Sequence, residues 1–462
     1  MFLSKSRPLV IGMIHVPALP GTPKNRKKIA EICEIVQKEA LIYHNAGVDS
    51  ILVENMHDLP YVQGKDIGPE IVSCMTRVCS VAKHTFQKGS RNQYAEIVES
   101  LRVLFRALPY DIQERAENID YSNFYEDNKE CVLAQFPDFN EVGKGFSKSH
   151  AKIDGLLNIC ANLVDQGILD QDVALEEFSM RKGSDIWVSE RNVLNKFHNY
   201  CQMRNVSLKV DAVWDDQQEL FKGLVFVDGK LMSEAYGCSK KTAKMKSCLK
   251  ALQTEDYVGI QILAGANKQA LAVAQAAELD FVRAEGFVYS HVADEGWMDA
   301  CAGGLLRFRK QIGAEDINIF TDIKKKHSAH AVTADVSIIE TAKAAELFGS
   351  DGVIVTGTAT GVETNATEVQ DVIRNVSVPV LIGSGVTAAN VSNYQNVGGL
   401  IVGSHFKIRQ QWFNAINIPR LLKFVLHASP ESYDYDKVFE TYSEPIEADF
   451  SDCESDSDLD ID

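Results

Sequence analysis

The sequence of 462 residues lacks several features that would place it in other classes of protein. Its ten cysteines form no Cys-x-x-Cys pair, which argues against a disulfide scaffold or a common zinc motif and is typical of a reduced protein with buried thiols. No run of 18 uncharged apolar residues occurs, so we expect no membrane span and no membrane partner. The start has a short basic lead and no small-residue cleavage site, so we expect an intracellular protein, cytoplasmic, nuclear or both.

Acidic charge is concentrated at the C-terminal end of the chain. Residues 444–462 contain nine acidic residues and no basic one, which is more than half of the net charge of −17. Such a segment cannot bury enough apolar surface to fold, so residues 440–462 are predicted to be a disordered acidic tail. The remainder is only mildly acidic and is compatible with a local nucleic-acid surface.

Short apolar runs alternate with amphipathic stretches over residues 1–86 and again over residues 257–430. Skipping the interruption, we count eight strands and eight helices in strict alternation, which predicts a parallel sheet and an α/β fold. An open doubly wound sheet is the alternative. Eight units and two Gly-Ser sequences near the end favour a closed (β/α)8 TIM barrel in two chain segments.

The interruption falls between the second helix and the third strand of this pattern. In a barrel such connections lie on the face opposite the active site. We therefore expect the inserted residues to lie away from the chemistry of the barrel.

Polar residues follow the predicted barrel strands at the ends where an active site is expected. Acidic residues, a lysine run and a histidine could act in acid/base catalysis, provide a Schiff-base lysine or bind a divalent metal. These residue types do not identify the cofactor. A single strand-end carboxylate often serves only in a salt bridge, so the set rather than any one member indicates a site. The candidate catalytic residues are Glu54, Glu285, Asp322, Lys324 and His327.

Two further strands end in Gly-Ser, within VLIGSGVT (380–387) and LIVGS (400–404). Glycine lets backbone N–H groups approach a ligand, and the loops after strands seven and eight often bind phosphate in this fold. Tight turns that need glycine for steric reasons are the alternative. The predicted phosphate-binding residues are Gly383, Ser384, Gly385, Gly403 and Ser404.

The barrel blocks resemble the BtpA family. The resemblance is carried by sequences that include GMIHVPALPG, AGVDSILVENMHDLPY, FVRAEGFVYSHVADEG, FTDIKKKHSAHA and PVLIGSGVT. It implies a barrel like those that bind ribulose phosphate and a site at the strand ends, but it implies no particular substrate. Bacterial members include a factor linked to photosystem I stability.

Within the interruption, residues 190–253 have the predicted order αβββα. This segment resembles a double-stranded-RNA-binding domain, including the sequence SKKTAK at 239–244. The resemblance implies that Lys240, Lys241 and Lys244 contact RNA phosphates. The loop that would probe the minor groove departs from the family, because it reads DDQQEL, so a degenerate module that contacts protein is the alternative.

Residues 92–185 are predicted to be a helical interaction module, with helices over 94–110 and 153–168. The segment is similar to the small helical domain that docks onto a nuclear 5′-to-3′ exoribonuclease. This resemblance implies an exoribonuclease or another RNA-processing protein as a partner.

Three functions follow as hypotheses. The first is an enzyme or binding protein for a small phosphorylated molecule. The second is an RNA-associated adaptor whose barrel is a scaffold. The third, by analogy with the family alone, is a protein assembly or stability factor.

Overall fold

A computed structural model describes residues 7–87, most of 119–171, most of 207–247, residues 256–357 and 363–428, together with Leu104 and Leu108. The predicted acidic tail and the predicted helix over 94–110, apart from Leu104 and Leu108, lie outside these residues.

Each described strand belongs either to the barrel or to one of three small antiparallel sheets. In chain order they are β1 (Leu9–His15), β2 (Ser50–Glu54), β3 (Asp120–Glu126), β4 (Lys129–Phe136), β5 (Glu141–Gly145), β6 (Leu208–Asp215), β7 (Leu220–Val227), β8 (Lys230–Gly237), β9 (Tyr257–Gln261), β10 (Phe281–Ala284), β11 (His291–Ala293), β12 (Gly296–Met298), β13 (Asn318–Ile323), β14 (Ser328–Ala329), β15 (Gly352–Val355), β16 (Val380–Ile382) and β17 (Gly399–Val402).

Eight of these strands form a closed parallel barrel in the order β1-β17-β16-β15-β13-β10-β9-β2. Closure confirms the predicted (β/α)8 barrel and excludes the open sheet. Each barrel strand lies within an apolar run that the sequence marks as buried. Strands buried on both faces need continuous rather than alternating apolar residues, which explains why the sequence indicates them clearly.

The barrel interior is filled by side chains and is not a pore. Phe281 and Phe320 meet there with ring centroids 5.6 Å apart. Large residues on alternate strands fill the interior of such barrels in layers. The inward-facing cluster consists of Leu9, Ile11, Met13, Leu52, Tyr257, Phe281, Phe320, Ile354, Leu381 and Ile401.

Helices follow the barrel strands and surround them. They are α1 (Ile29–Asn45), α2 (Pro69–Gln87), α4 (Asn267–Ala276), α5 (Ala302–Gln311), α6 (Ile338–Leu347), α7 (Ala366–Asn375) and α8 (Ile418–Ala428), and α3 (Lys148–Gln166) belongs to the interruption. The connection after β16 holds the 3₁₀ turn Val391–Tyr394 where a short helix is predicted. Local sequence fixes the helix starts, as at α6, where Ser337 and Glu340 form a reciprocal capping box.

The predicted helical segment 92–185 requires a correction. Strands β3, β4 and β5 form an antiparallel sheet over residues 120–145, and only then does α3 begin. The strands DYSNFYE and KECVLAQF mix polar and apolar residues and contain no long apolar run, so their pairing with one another determines the structure more than their composition does. The resemblance to a helical exoribonuclease-docking domain therefore loses its basis over these residues.

We call residues 120–159 the acidic module, because they contain seven acidic and four basic residues. Residues 208–250, with six acidic and eight basic residues, are the basic module. In the basic module β6, β7 and β8 form the predicted antiparallel sheet, and Val227 pairs with Lys230 across a two-residue turn.

The two modules share a motif that links their sheets to the helices that follow. It reads Gly-x-Ser-Lys-x-x-Ala-Lys at 145–152 and again at 237–244. The amide of Ala151 donates to the Ser147 carbonyl oxygen at 3.0 Å, and that of Ala243 donates to Ser239 at 2.9 Å. In both copies the alanine is buried and the first lysine is exposed. The acidic module is therefore a second copy of this local structure.

Residues 161–171, which we call the clasp segment, contact the chain that follows β17. Asp165 accepts hydrogen bonds from the Arg409 amide at 2.8 Å, from Asn417 Nδ2 at 2.9 Å and from Arg420 at 2.5 Å. Gln171 donates to the Ile416 carbonyl oxygen at 2.6 Å and accepts from the Ile418 amide at 3.0 Å. This part of the interruption thus reaches the face that carries the strand ends, contrary to the expectation that the inserted residues lie on the opposite face.

Candidate active site at the barrel mouth

A cavity of about 680 Å³ lies at the C-terminal ends of the barrel strands. Four of the five predicted catalytic residues line it, namely Glu54, Glu285, Asp322 and His327. Lys324 does not. All five predicted phosphate-binding residues also line it: Gly383, Ser384, Gly385, Gly403 and Ser404.

Asp322 and Arg283 form a buried, two-pronged ion pair. Arg283 Nε lies 3.0 Å from Asp322 Oδ2, and Arg283 Nη2 lies 2.9 Å from Asp322 Oδ1. Burial acts to lower the pKa of Arg283, but Asp322 outweighs it and raises the pKa overall. The guanidinium therefore keeps its charge, and Asp322 orients it.

Glu285 is held through both carboxylate oxygens. Lys325 Nζ lies 3.2 Å from Oε1, and the amide of Gly265 donates to Oε2 at 2.9 Å. The Glu285 carboxyl group is therefore held in one position at the edge of the cavity, where it also positions Lys325.

Glu54 and His15 lie side by side, with 3.9 Å between Glu54 Oε2 and His15 Nε2. Burial, helped by the charge of Lys407, lowers the pKa of His15 to about 3, so the imidazole is neutral at neutral pH. Its Nδ1 donates to the Trp412 carbonyl oxygen at 2.8 Å, which leaves Nε2 as an acceptor. Burial also raises the pKa of Glu54. The site thus combines a carboxyl that retains its proton more strongly than usual with a neutral base.

The lysine run after β13 divides into three different environments. Lys324 Nζ donates to the Thr333 carbonyl oxygen at 2.9 Å and lies outside the cavity lining. Lys325 pairs with Glu285, and Lys326 lines the cavity. Positive φ angles of 49° at Lys324 and 55° at His327 turn the backbone here, so spacing along the sequence could not indicate which lysine faces inward.

His327 lies at the exposed rim of the cavity. Partial loss of solvent around its ring, helped by the charge of Lys326, lowers the pKa of His327. The rim position favours contact with an incoming ligand over a part in the buried centre of the site.

The two Gly-Ser segments come from the adjacent strands β16 and β17 and face one cavity. Ser384 Oγ accepts from the Gly357 amide at 3.0 Å, so this hydroxyl braces the neighbouring strand end. A Cβ added to Gly403 would lie 3.2 Å from His15 Cε1, and one added to Gly383 would lie 2.7 Å from Ile354 Cγ2. Gly383 therefore has no room for a side chain, and Gly403 is closely packed against His15, so the steric explanation accounts for Gly383 whether or not it binds phosphate.

The loop after β17 supplies residues that sequence reasoning missed: Gln410, Gln411 and Trp412 line the cavity. Arg409 and Gln410 have φ angles of 54° and 55°, so the clasp segment holds a loop that contains two consecutive left-handed residues. The signal was the polar run RQQ followed directly by a tryptophan, within RQQWFNA between the last strand and the last helix.

Among the residues that the structure describes, no group of three or more His, Cys, Asp or Glu side chains is arranged to hold a metal ion. No helix in those same ranges is long and apolar enough to cross a membrane.

The predicted RNA-contacting lysines lie on the helix that begins after Ser239. Lys240 and Lys241 are exposed, and Lys240 Nζ lies 5.9 Å from the centroid of the Phe221 ring. Lys244 is half-buried and donates to the Val210 carbonyl oxygen at 3.2 Å. Two of the three lysines are therefore exposed to solvent.

The fold and the cavity define a (β/α)8 barrel with a charged site at its mouth. The sequence profile of the BtpA family matches residues 5–87 and 238–429, and the chain belongs to that family. An uncharacterized protein of Caenorhabditis elegans, named as mitochondrial, is 34% identical over 92% of this chain and 95% of its own length.

Other relatives match only part of the chain. An uncharacterized protein of Archaeoglobus fulgidus is 34% identical over 32% of this chain and 59% of its own length. The photosystem I biogenesis protein BtpA of Synechocystis is 29% identical over 36% of this chain and 58% of its own. Among solved structures, the YdjI aldolase of Escherichia coli overlaps 42% of this chain and 70% of its own, with a TM-score of 0.23 and 13% identity.

Proposed function

We propose that the barrel binds and processes a small phosphorylated metabolite in the mouth cavity. The observation that carries this proposal is that both Gly-Ser segments line the same cavity as the Arg283–Asp322 pair, Glu54 and Lys326. A volume of about 680 Å³ is in the range of small-molecule sites. The phosphate would lie against Gly383–Gly385 and Gly403–Ser404, where backbone N–H groups can approach it.

Thermal unfolding with inorganic phosphate, pyrophosphate and a panel of sugar phosphates tests this proposal. A ligand at a hundred times its Kd adds about 2.7 kcal/mol to stability, so the melting temperature should rise measurably. Gly403→Ala should weaken the effect, because its Cβ would press on His15. Gly304→Ala is the matched control, since its Cβ would meet nothing closer than 3.8 Å. Absence of any shift with every phosphate compound would refute the proposal.

We propose as a second function that the basic module binds duplex RNA. Its support is the exposure of Lys240 and Lys241 at one helix start, in a module where basic residues outnumber acidic ones. Lysine–phosphate contacts of this kind recognise the shape of the duplex rather than its sequence. The DDQQEL loop predicts that minor-groove contacts contribute little.

Gel shifts with duplex RNA compare wild type with Lys240→Glu/Lys241→Glu. The expected loss of affinity is at least tenfold at low salt, because two favourable charges become repulsive. Lys268→Glu/Lys343→Glu makes the same charge change on exposed barrel helices and should bind like wild type. Equal binding by both variants, or no binding by wild type, would exclude this function.

We propose that the protein carries out both functions inside the cell. Separation of mitochondria from cytosol and nuclei, followed by immunoblotting, identifies the compartment.

A further inference from the structure

The three lysines after β13 offer one amine that the packing of the barrel does not use. Lys324 is held by a backbone carbonyl and Lys325 by Glu285. Within the part of the chain that the structure describes, no hydrogen bond or ion pair holds the Lys326 ammonium, although the side chain is half-buried and lines the cavity. The side chain of a lysine is long and flexible, so it can usually extend its ammonium group into solvent. The position of Lys326 at a charged cavity therefore indicates a role there.

The surroundings of Lys326 favour its neutral, nucleophilic form. Burial and the nearby Arg283 guanidinium lower the pKa of Lys326, and they outweigh the opposing charges of Glu54 and Asp322. Because Asp322 is already committed to Arg283, it cannot fully neutralise a second cation. An amine activated in this way is the type that attacks carbonyl carbons.

The same cavity contains a proton donor. Burial raises the pKa of Glu54, and this carboxyl lies close enough to Lys326 for each to influence the other's titration. A carboxyl whose pKa is raised holds its proton more strongly than usual and can donate it to an oxygen on which negative charge develops.

We propose that Lys326 forms a Schiff base with a phosphorylated aldehyde or ketone. This inference rests on the proposed binding of a phosphorylated metabolite and names its substrate class. Nζ of the neutral amine adds to the carbonyl carbon, the C–N bond forms, and the carbonyl π electrons move to oxygen, which takes the proton of Glu54. The nitrogen then gives a proton back to the Glu54 carboxylate.

Loss of water completes the Schiff base. The hydroxyl leaves with its bonding pair and takes a proton from Glu54, while the nitrogen lone pair forms the C=N bond. The products are one iminium ion, one water molecule and ionised Glu54. The iminium draws electrons from the adjacent carbon and so assists cleavage of a bond there.

Reductive trapping tests the proposal. The full-length protein is incubated with dihydroxyacetone phosphate and sodium borohydride, and the adduct is located by peptide mapping. Wild type should carry a borohydride-dependent adduct at Lys326 at least tenfold above that at exposed Lys268 or Lys343. Lys326→Arg should lose this adduct, whereas Lys324→Arg should keep it, because Lys324 lies outside the cavity lining.

Two outcomes separate this inference from the function on which it rests. If inorganic phosphate raises the melting temperature of wild type and of Lys326→Arg alike, yet no adduct forms at Lys326, the Schiff base is wrong and phosphate binding stands. If an adduct forms at Lys326 while no phosphate compound shifts the melting temperature, the amine is reactive and the phosphate site is wrong. Uniform labelling of all lysines would also overturn the Schiff base.

Discussion

The acidic and basic modules share one local design and differ in what their surfaces offer. Each has a three-stranded antiparallel sheet followed by a helix that begins with Ser-Lys-x-x-Ala-Lys. In each, the buried alanine presses its backbone against a strand glycine: Gly143 in one and Gly223 in the other. The charge balance is opposite, with acids in excess in the first module and bases in excess in the second.

We infer from this difference that the helix-start motif specifies packing in both modules, whereas only the basic module has a charge balance that favours a polyanion. The serine and alanine serve the helix start and the sheet contact, which both modules need. The acidic module has Ser149 at the position that Lys241 occupies in the basic module. Only the basic module therefore contains the sequence Ser-Lys-Lys. Phosphate binding depends on the summed charge near the contact and not on a motif alone.

The largest expected effect tests the shared packing. Gly143→Ala would place a Cβ 1.9 Å from the Ala151 carbonyl oxygen, and Gly223→Ala would place one 2.2 Å from that of Ala243. Since backbone must shift in both, each variant should be destabilised by about 3 kcal/mol, near the upper end for overpacking. Hydrogen exchange of the backbone amides in each module measures the loss of stability, with Gly304→Ala as the control variant. Protection that is reduced in one module only would show that the two are not built alike.

The clasp segment gives the next prediction. Asp165→Ala removes hydrogen bonds to the Arg409 amide, Asn417 and Arg420, and it should lower the free energy of unfolding by about 2 kcal/mol. Urea unfolding measures this change, and acrylamide quenching of tryptophan fluorescence should increase as the loop around Trp412 loosens. Glu34→Ala, an exposed acid on α1, should change stability by less than about 0.5 kcal/mol. A similar small change for both variants would mean that the clasp contributes little.

The same carboxylate should make stability depend on pH. Burial acts to raise the pKa of Asp165, but the Arg420, Arg409 and Asn417 hydrogen bonds outweigh it and lower the pKa overall. A lowered pKa in the folded state gives stability that is present above the ordinary carboxyl range and is lost as the pH falls through the folded value. The stability difference between wild type and Asp165→Asn should therefore shrink on acidification. A difference that stays constant from neutral to acidic pH would contradict this assignment.

The smallest expected effect tests whether RNA binding depends on the summed charge of a module or on the Ser-Lys-Lys sequence alone. Ser149→Lys gives the acidic module the same Ser-Lys-Lys start as the basic module, but the module keeps its excess of acids. Duplex RNA affinity in low salt should change by less than about twofold, because one added charge does not reverse the local potential. A gain as large as the loss caused by Lys240→Glu/Lys241→Glu would show that the motif suffices by itself.

The barrel strands could be predicted well from the sequence, because buried parallel strands are continuous apolar runs. Such runs can be recognised without knowledge of the distant residues that they contact. All eight barrel strands lie at the predicted places, as β13 (Asn318–Ile323) within predicted 317–326 illustrates. The sheet over 120–145 was missed, because half-polar strands owe their structure to cross-strand partners. The clasp was missed for a related reason, since Asp165 and Arg420 are 255 residues apart in sequence.

Within the site, the types of residue were predictable but the choice among neighbours was not. Strand ends locate Glu54, Glu285 and Asp322 because the fold brings all strand ends to one face. The choice of Lys326 over Lys324 depends on positive φ angles in an irregular loop, which three identical residues in a row do not reveal.

The hydrogen bonds of Asp165 also bear on how such a chain can evolve. The family profile matches residues 5–87 and 238–429, so Asp165 and Gln171 lie in the part of the chain outside it. Yet these two residues hold the loop that brings Gln410 and Trp412 to the cavity. An added segment that supports a host loop becomes entrenched, because deleting it would now disturb the cavity at the host's own strand ends.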